Sequence, residues 1–447
     1  MASIIAVSII AYLPAIDNFF ISDDFDLFAV IEAAEKSPRW FFETTTEFFR
    51  LMSFIYFGVC YWLFGLSPQP YYWAGIALHA IVSVLVYFLV KELTRSSPGA
   101  WVAGLFFAAF ERHQEAVMWI SAANETILAL NCLVFLLLWR LAAERKSTCY
   151  LIMAHAMFAV ALFSKEAAVI LVPMAVLQLL LAGYSFRAVL RKSSTLVVML
   201  CAFGLLWLGV AQRNAFVTRG YYMFGWQFVA VYLRSLVRLT AQIIPIGAAW
   251  VITRYLQRRR NDSQISESRL KTSPVSLRNA TIFFSAFLVL AIVPYSFLTY
   301  LNHIPSRNTY LSSIGLAGLI GILVTSLYAR MTTEWSRRVG ILSFCGIVIG
   351  NIGYIWWKKD PQFQRRAAPT HELIEILNAH GNQQLPIHVC QFPLDPWVFS
   401  ETVMRFTSFD TSEVVLSANC DAPGGTMMRW DERTSTYNTN FRESPAD

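Results

Sequence analysis

The chain has 447 residues, 56% hydrophobic and 15% charged, with a mean hydropathy of +0.48. Ordinary soluble domains carry about 25% charged residues, so a soluble globular protein is excluded and a polytopic helical membrane protein is expected. The net charge of +7 does not point to nucleic acid, because no basic stripe lies on a soluble stretch; the excess sits in loops between apolar runs. No nucleic-acid partner is expected.

The first run, Met1 to Ile16, has the length of a signal peptide but lacks a basic n-region and a good cleavage pattern. It reads as a retained first span, a short one to which an upstream start could belong. Directly after it comes Ile21-Ser22-Asp23-Asp24-Phe25-Asp26-Leu27. Charge in hydrocarbon costs several kcal/mol, so these carboxylates are either solvated or paired. One reading is a wet connector. The other is a catalytic acidic loop, in which a carboxylate near an apolar boundary acts as general base and an adjacent pair can also hold a divalent cation. Asp26 is the less attractive member, because a helix is expected to start near Leu27.

Leu51 to Leu66 is apolar but dense in Tyr, Phe and Trp, as are helices lying in the interface. Taken as flat, it gives the remaining loops a consistent parity. Spans are then expected at Tyr71–Val90, Ala100–Phe110, Ile120–Trp139, Tyr150–Phe163, Ala167–Leu181, Leu196–Ala211, Ile243–Leu256, Thr281–Tyr300, Leu311–Tyr328 and Ile341–Trp356. With the first run this makes about eleven. Tyr221 to Leu239 carries Arg234 and Arg238 and is laid in the outer interface. Loops rich in Lys and Arg, including Arg258-Arg259-Arg260 through Arg278, fall on the cytoplasmic side. Asp23-Asp24, Glu43, Glu47, His113-Glu115, Lys165-Glu166 and Arg307 fall together on the other.

Residues 1–357 thus read as a multi-span membrane domain, with residues 17–70 forming an external acidic loop and interfacial helices. Residues 358–447 read as a small exported α+β appendage of roughly 90 residues, enough for a marginal core. A helix is expected at Thr370–Ala379, a strand at Ile387–Cys390, a second apolar run at Glu413–Leu416, and disorder over about the last twenty residues. Of seven cysteines, only Cys390 and Cys420 could pair, and only if the tail is exported.

His113 and Glu115 sit where one expected span ends and the next begins. They could be a polar cap, or could hydrogen-bond a sugar or ligate a metal, His-x-Glu alone being a weak metal signal. Lys165-Glu166 interrupts the apolar stretch Leu151–Leu181. It is either a simple reversal or a cation at a helix N-terminus, where dipole and ammonium together favour phosphate. Arg307, between Pro305 and Tyr310, offers a second cation that could clamp a phosphate bidentately. No Walker, GxGxxG, HExxH or GxSxG context is present. Asn124-Glu125-Thr126 and Asn279-Ala280-Thr281 fit the N-glycosylation pattern but lie in a span and on the cytoplasmic side.

Several stretches together carry a family likeness. They are the acidic pair after the first span, Arg50 before an aromatic helix ending Leu63-Phe64-Gly65-Leu66, and Tyr71-Tyr72 with Leu78-His79-Ala80. To these are added His113-Gln114-Glu115-Ala116-Val117-Met118-Trp119-Ile120-Ser121, Leu162-Phe163-Ser164-Lys165-Glu166 with Pro173, and Ser306-Arg307 through Tyr310-Leu311-Ser312-Ser313-Ile314-Gly315. Over roughly residues 1–330 the chain resembles the polytopic GT-C glycosyltransferases. Within them it is most similar to the protein O-mannosyltransferases (family 39), in particular the membrane part of the transmembrane and tetratricopeptide-repeat mannosyltransferases and their bacterial relatives. The resemblance implies transfer of a sugar from a polyprenyl-phosphate donor, a co-substrate in the membrane, to a protein, glycan or lipid acceptor on the outer face, with inversion. It implies Asp23 or Asp24 as general base and Lys165 and Arg307 as cations neutralising the leaving phosphate. His113 and Glu115 would shape the sugar or acceptor pocket, with Arg50, Glu166 and Tyr310 in the same substrate-binding set. The chain departs from the family pattern in having Phe110-Glu111 for His-Pro, Ser306 for Glu and Leu311-Ser312-Ser313 for Leu-Pro-Ser, and its tail has no tetratricopeptide repeats. These departures leave the substrate class open. A bacterial inner membrane, with active face and tail periplasmic, fits the lack of a usable external glycosylation site. A transporter or lipid flippase is the alternative from another class, and would want discontinuous helices, an internal repeat and ionisable residues at mid-bilayer. A non-catalytic scaffold is a third.

Overall fold

Polar and proline-bearing interruptions cut the apolar sequence into helices. The computed structural model describes residues 1–37, 50–211, 218, 220–222, 225–241, 244, 251, 274–298, 304–331, 333–379, 385–418, 420 and 426–440. Glu43, Glu47, most of the span expected over Ile243–Leu256, and the basic stretch from Arg258 to residue 273 lie outside them.

In chain order the helices are α1 (Ala2–Tyr12), α2 (Asp23–Lys36), α3 (Leu51–Phe64), α4 (Pro68–Thr94), α5 (Ser97–Ala109), α6 (Gln114–Met118), α7 (Asn124–Arg145) and α8 (Thr148–Ser164). They continue as α9 (Leu171–Leu181), α10 (Phe186–Ala211), α11 (Gln227–Thr240), α12 (Pro274–Ile292), α13 (Ser312–Arg330), α14 (Glu334–Tyr354), α15 (Asp360–Ala379) and α16 (Pro396–Phe406). Among the described residues six helices are long and apolar enough to cross a membrane alone: α4, α7 with its preceding turn, α10, α12 with its following turn, α13, and α14 running on into α15. The shorter apolar helices are Ala2–Asp17, Leu51–Phe64, Ser97–Ala109, Thr148–Ser164 and Glu166–Leu181.

Local chemistry sets several ends. Pro68 opens α4, where a missing N–H costs nothing. Ser96 caps α5, its hydroxyl accepting from Gly99 N at 3.2 Å, and Thr333 caps α14 in the same way. Packing between spans uses small residues. A Cβ on Gly315 of α13 would lie 2.5 Å from Leu288 N and 2.6 Å from Phe284 O of α12; one on Gly321 would lie 2.4 Å from Gly99 O of α5. Backbone approach this close is how helices associate where lipid removes the hydrophobic drive. α11 buries Val231, Ser235 and Leu239 on one face and leaves Leu233 and Val237 exposed, the pattern of an amphipathic surface helix.

The ends of the bundle differ in kind. At one, the basic termini of α4 and α7 form a surface network, Arg140 to Glu92 at 3.0 Å, Arg140 to Glu144 at 2.7 Å and Arg95 to Glu144 at 3.6 Å. At the opposite end the helices are broken by short turns at Glu111–His113, Ile120–Ala123, Glu166–Ile170, Val293–Phe297 and Arg307–Thr309.

The tail begins without a break. α14 passes through a π-turn, Ile355–Lys359, into α15, which is twice the length expected for it and accepts Pro369 within it. Four strands, β1 (Ile387–Cys390), β2 (Val414–Ser417), β3 (Thr426–Asp431) and β4 (Thr436–Asn440), form a sheet in the order β2-β1-β3-β4. β1 is parallel to β2 and β3, and β4 is antiparallel to β3. Leu373, Leu377, Phe399 and Val403 from α15 and α16 cover the sheet residues Ile387, Val389, Val414, Met428 and Trp430. Cys390 and Cys420 are joined by a disulfide. The disorder expected at the end fails through Asn440, because Tyr437 is buried against Trp430 and donates to Pro369 O at 3.0 Å; residues 441–447 lie outside the described residues.

Candidate functional site

The acidic stretch is helical from its first aspartate, which corrects the expectation of a loop with a helix starting near Leu27. Asp23, Asp24 and Asp26 form the first turn of α2, where carboxylates are favoured by the unpaired N–H groups of the helix start. The two neighbours diverge. Asp24 is 1% exposed and uses both oxygens, accepting from Ile21 N at 2.8 Å and from Ser121 N at 2.7 Å. Burial pushes its carboxyl up to about 7, against the opposing pull of those two N–H donors. Asp23 is exposed and accepts only a 3.3 Å bond from the Ser22 hydroxyl among the bonds at this turn.

Ser121 ends the segment that begins at His113, and that segment is the wall of the site. Glu115 accepts from Arg307 N at 3.1 Å and faces the Arg307 guanidinium at 3.8 Å; the guanidinium lies 4.7 Å over the Trp119 ring. The expected cation therefore rests on Trp119, two residues along the chain from Ser121, which Asp24 holds. His113 and Tyr310 lie deeper, both fully buried. Ser313 donates to Tyr310 O at 2.6 Å, so its oxygen accepts from His113 Nε2, also at 2.6 Å. A carbonyl can only accept, so His79 Nε2–H points to Ala108 O at 3.1 Å and Nδ1 accepts from the Tyr310 hydroxyl at 2.7 Å. This network fastens the 113–121 segment and the 305–313 segment to α4. Among the described residues Gln114 Oε1 and Trp119 Nε1 of this wall, and Asn124 Oδ1 at the start of α7, are buried without a hydrogen-bond partner.

Lys165 is not a spare cation. Its ammonium is ion-paired with Glu125 in full burial, takes Asn308 Oδ1 at 3.3 Å, and lies 4.9 Å over the Tyr295 ring. Tyr295 in turn donates to Glu125 at 2.9 Å. Glu166 is held by a two-pronged bond from Arg50, at 2.9 and 3.4 Å. Sequence reasoning missed Glu125, weighed there only as part of a glycosylation pattern. Its signal was available: one carboxylate opening a long apolar run, in need of a cation. It also missed a group of charges beside Arg307. Arg112 pairs with Glu111 at 2.8 Å, and Arg238 of α11 and Lys359 of the π-turn are electrostatic neighbours of Glu111, Arg112 and Glu115.

All nine expected site residues thus gather at the broken end of the bundle, but they divide into an exposed acid, a cation group and a buried frame. Asp24 accepts one N–H at each oxygen, whereas Asp23 accepts the Ser22 hydroxyl. Among the described residues no three His, Cys, Asp or Glu side chains group as metal ligands.

Residues 51–208 match the family described as dolichyl-phosphate-mannose-protein mannosyltransferase. The crystal structure of ArnT from Cupriavidus metallidurans bound to undecaprenyl phosphate superposes with a TM-score of 0.54 at 13% identity, covering 95% of this chain and 92% of that one. Its apo state gives the same score at 12% identity, covering 96% and 92%. The Archaeoglobus fulgidus oligosaccharyltransferase, tethered to an acceptor peptide, aligns at 14% identity over 83% of this chain and 57% of that one, with a TM-score of 0.43. No curated protein matches by sequence. The chain has the fold of the polytopic GT-C membrane glycosyltransferases, and across residues 51–208 it carries the dolichyl-phosphate-mannose-protein mannosyltransferase signature.

Proposed function

We propose that the protein is a membrane glycosyltransferase that moves a sugar from a polyprenyl-phosphate donor to an acceptor hydroxyl at the broken end of the bundle, with inversion. The observation that carries this reading is the pairing, through one short segment, of an exposed carboxylate with a cation group. Asp24 binds Ser121 on one side, and Arg307 lies on Trp119 on the other.

In this reading Asp23 is the general base and Asp24 a positioning residue that fixes the first turn of α2. The acceptor oxygen forms its bond to the anomeric carbon as the carbon–oxygen bond to phosphate breaks, and its proton passes to Asp23. The phosphate leaves as an anion and is met by Arg307, with Arg112, Arg238 and Lys359 adding positive field around Glu111 and Glu115. These four cations against two carboxylates leave positive charge in excess, which suits a leaving phosphate. Lys165, Glu166, Arg50, His113 and Tyr310 act by holding the wall in place. The sugar and the bacterial, periplasmic setting belong to this proposal only as expectations from the family resemblance. A flippase reading is weaker, because the buried Lys165–Glu125 pair sits at the broken end rather than at a mid-bilayer substrate site.

The test is sugar transfer in membranes with a panel of polyprenyl-phosphate sugars. Asp23→Asn should lose transfer by about 10²-fold or more, the range of a general base, while Asp24→Asn should retain a measurable rate. Full transfer by Asp23→Asn would remove the base from the mechanism. Lipid movement across vesicles without transfer from any donor would replace the enzyme reading with a transporter.

A further inference from the structure

We infer that the C-terminal appendage sets the position of the acidic turn, with Arg405 and Phe406 of α16 as positioning residues that hold α2. The inference rests on the assignment of Asp23 as the base. The contact is specific. The Arg405 guanidinium grips Glu32 of α2 with both terminal nitrogens, Nη1 to Oε1 and Nη2 to Oε2 at 3.1 Å, and its Nε is bound to Glu401 of its own helix. Glu401 is almost fully buried and Arg405 is 13% exposed, so the guanidinium is held from both sides rather than waving in solvent. Bidentate pairs of this kind fix direction as well as distance. Tyr61 of α3 donates to the same Glu32 carboxylate at 3.3 Å.

Beside this pair Phe406 plugs an aromatic cluster. Its ring centroid lies 5.5 Å from Phe19, 5.9 Å from Phe20, 5.8 Å from Phe25 and 6.3 Å from Phe28. Phe20 and Phe25 are fully buried and bracket Asp23 and Asp24 in the chain. Phe19 also stacks on His371 of α15 at 4.9 Å. The turn bearing the acids is therefore pinned at two points: by Asp24 on Ser121 from the membrane domain, and by Phe406 and Arg405 from the appendage. Glu32 is nine positions beyond Asp23, about 13 Å along the helix at 1.5 Å per residue. A tilt of α2 released at Glu32 therefore swings the Asp23 carboxylate out of line with the acceptor, and near-attack geometry tolerates little displacement.

The test uses the full chain, purified in detergent, with Arg405→Ala, Arg405→Lys, Glu32→Ala and the charge exchange Arg405→Glu with Glu32→Arg. Two readouts are taken, hydrogen exchange of residues 22–36 and steady-state transfer. Arg405→Ala and Glu32→Ala should speed exchange in α2 roughly tenfold, and lower kcat at least tenfold with donor KM unchanged. The lysine variant should recover part of both, and the exchanged pair more than either single change. Unaltered exchange in α2 would refute the grip itself, whatever the fate of the enzyme reading. Faster exchange with an undiminished kcat would refute the positioning role. Absence of transfer in the wild-type protein would overturn the assignment of Asp23 while leaving the exchange result to judge the grip.

Discussion

Replacing Glu125 by Gln isolates the buried ion pair at the centre of the frame. Glu125 is fully buried, the Lys165 side chain is 4% exposed, and the ammonium's other contacts are Asn308 Oδ1 at 3.3 Å and the Tyr295 ring. Gln preserves shape but has one acceptor oxygen; if that oxygen still accepts from Tyr295, the change removes the charge and turns an NH2 toward the Lys165 ammonium. Breaking a buried pair from one side typically costs about 3–5 kcal/mol, because the remaining charge is left uncompensated. Replacing both partners with apolar residues of like volume is often neutral. Lys165→Met with Glu125→Leu should therefore recover most of the loss, less about 1–3 kcal/mol for leaving the Asn308 and Tyr295 groups without their partners. Thermal unfolding of the detergent-solubilised protein reads the difference. At less than about 2 °C per kcal/mol for a chain this long, the single variant should melt roughly 5 °C lower. The reasoning fails if Glu125→Gln melts with the wild type and binds polyprenyl phosphate more tightly. That outcome would mean that Lys165 waits for phosphate and Glu125 merely competes for it.

Two further expectations concern packing and pH. Gly315→Ala puts a methyl within 2.6 Å of the Phe284 and Leu288 backbone, and backbone cannot step aside as a side chain can. It should destabilise by about 1–3 kcal/mol or more, and an unchanged melting temperature would show that α12 and α13 are not so closely packed. Asp24 has a folded-state value of about 7 against 3.8 in the reference state. A raised carboxyl contributes stability that is fully present below about pH 4 and lost as pH rises through 7, with an upper bound of ~4 kcal/mol. Wild type should therefore lose melting temperature relative to Asp24→Asn, which does not titrate, between pH 5 and 8. Parallel curves for the two proteins would show that the N–H bonds of Ile21 and Ser121 keep Asp24 ionised throughout.

That the expected site residues share one end of the bundle was legible in the sequence, because loop charge is read directly. Asp23, His113, Lys165 and Arg307, grouped by that reading, lie together at the broken end of the bundle. Partners were not legible, because they depend on contacts between distant segments. Lys165 and Glu125 are forty residues apart, and Arg405 meets Glu32 from the far end of the chain. The start of α2 was legible in principle, since Ser22 followed by acids is an N-terminal helix signature. The burial of Asp24 was not, for it depends on Ser121. The tail's last two strands were hidden by their polarity: Thr426–Asp431 buries alternate residues and Thr436–Asn440 buries Tyr437, and a short polar hairpin reads like disorder until a sheet edge receives it.

In the proposed mechanism the division between the two aspartates follows from what each job demands. A base must meet substrate, so it needs an open face and an uncommitted oxygen, which Asp23 has at the exposed side of the helix start. A carboxylate that already accepts two backbone N–H groups would have to surrender part of that bonding when protonated, and would release the 120–123 turn in every cycle. Fixing that turn is more useful, because the same stretch of backbone carries Trp119, on which Arg307 rests. Asp24 thereby couples the position of the acid to the position of the cation: a shift of one drags the other through two residues of chain. The proposed reaction, at a carbon flanked by an incoming oxygen and a departing phosphate, would use that coupling to set base and cation on opposite sides of the same centre.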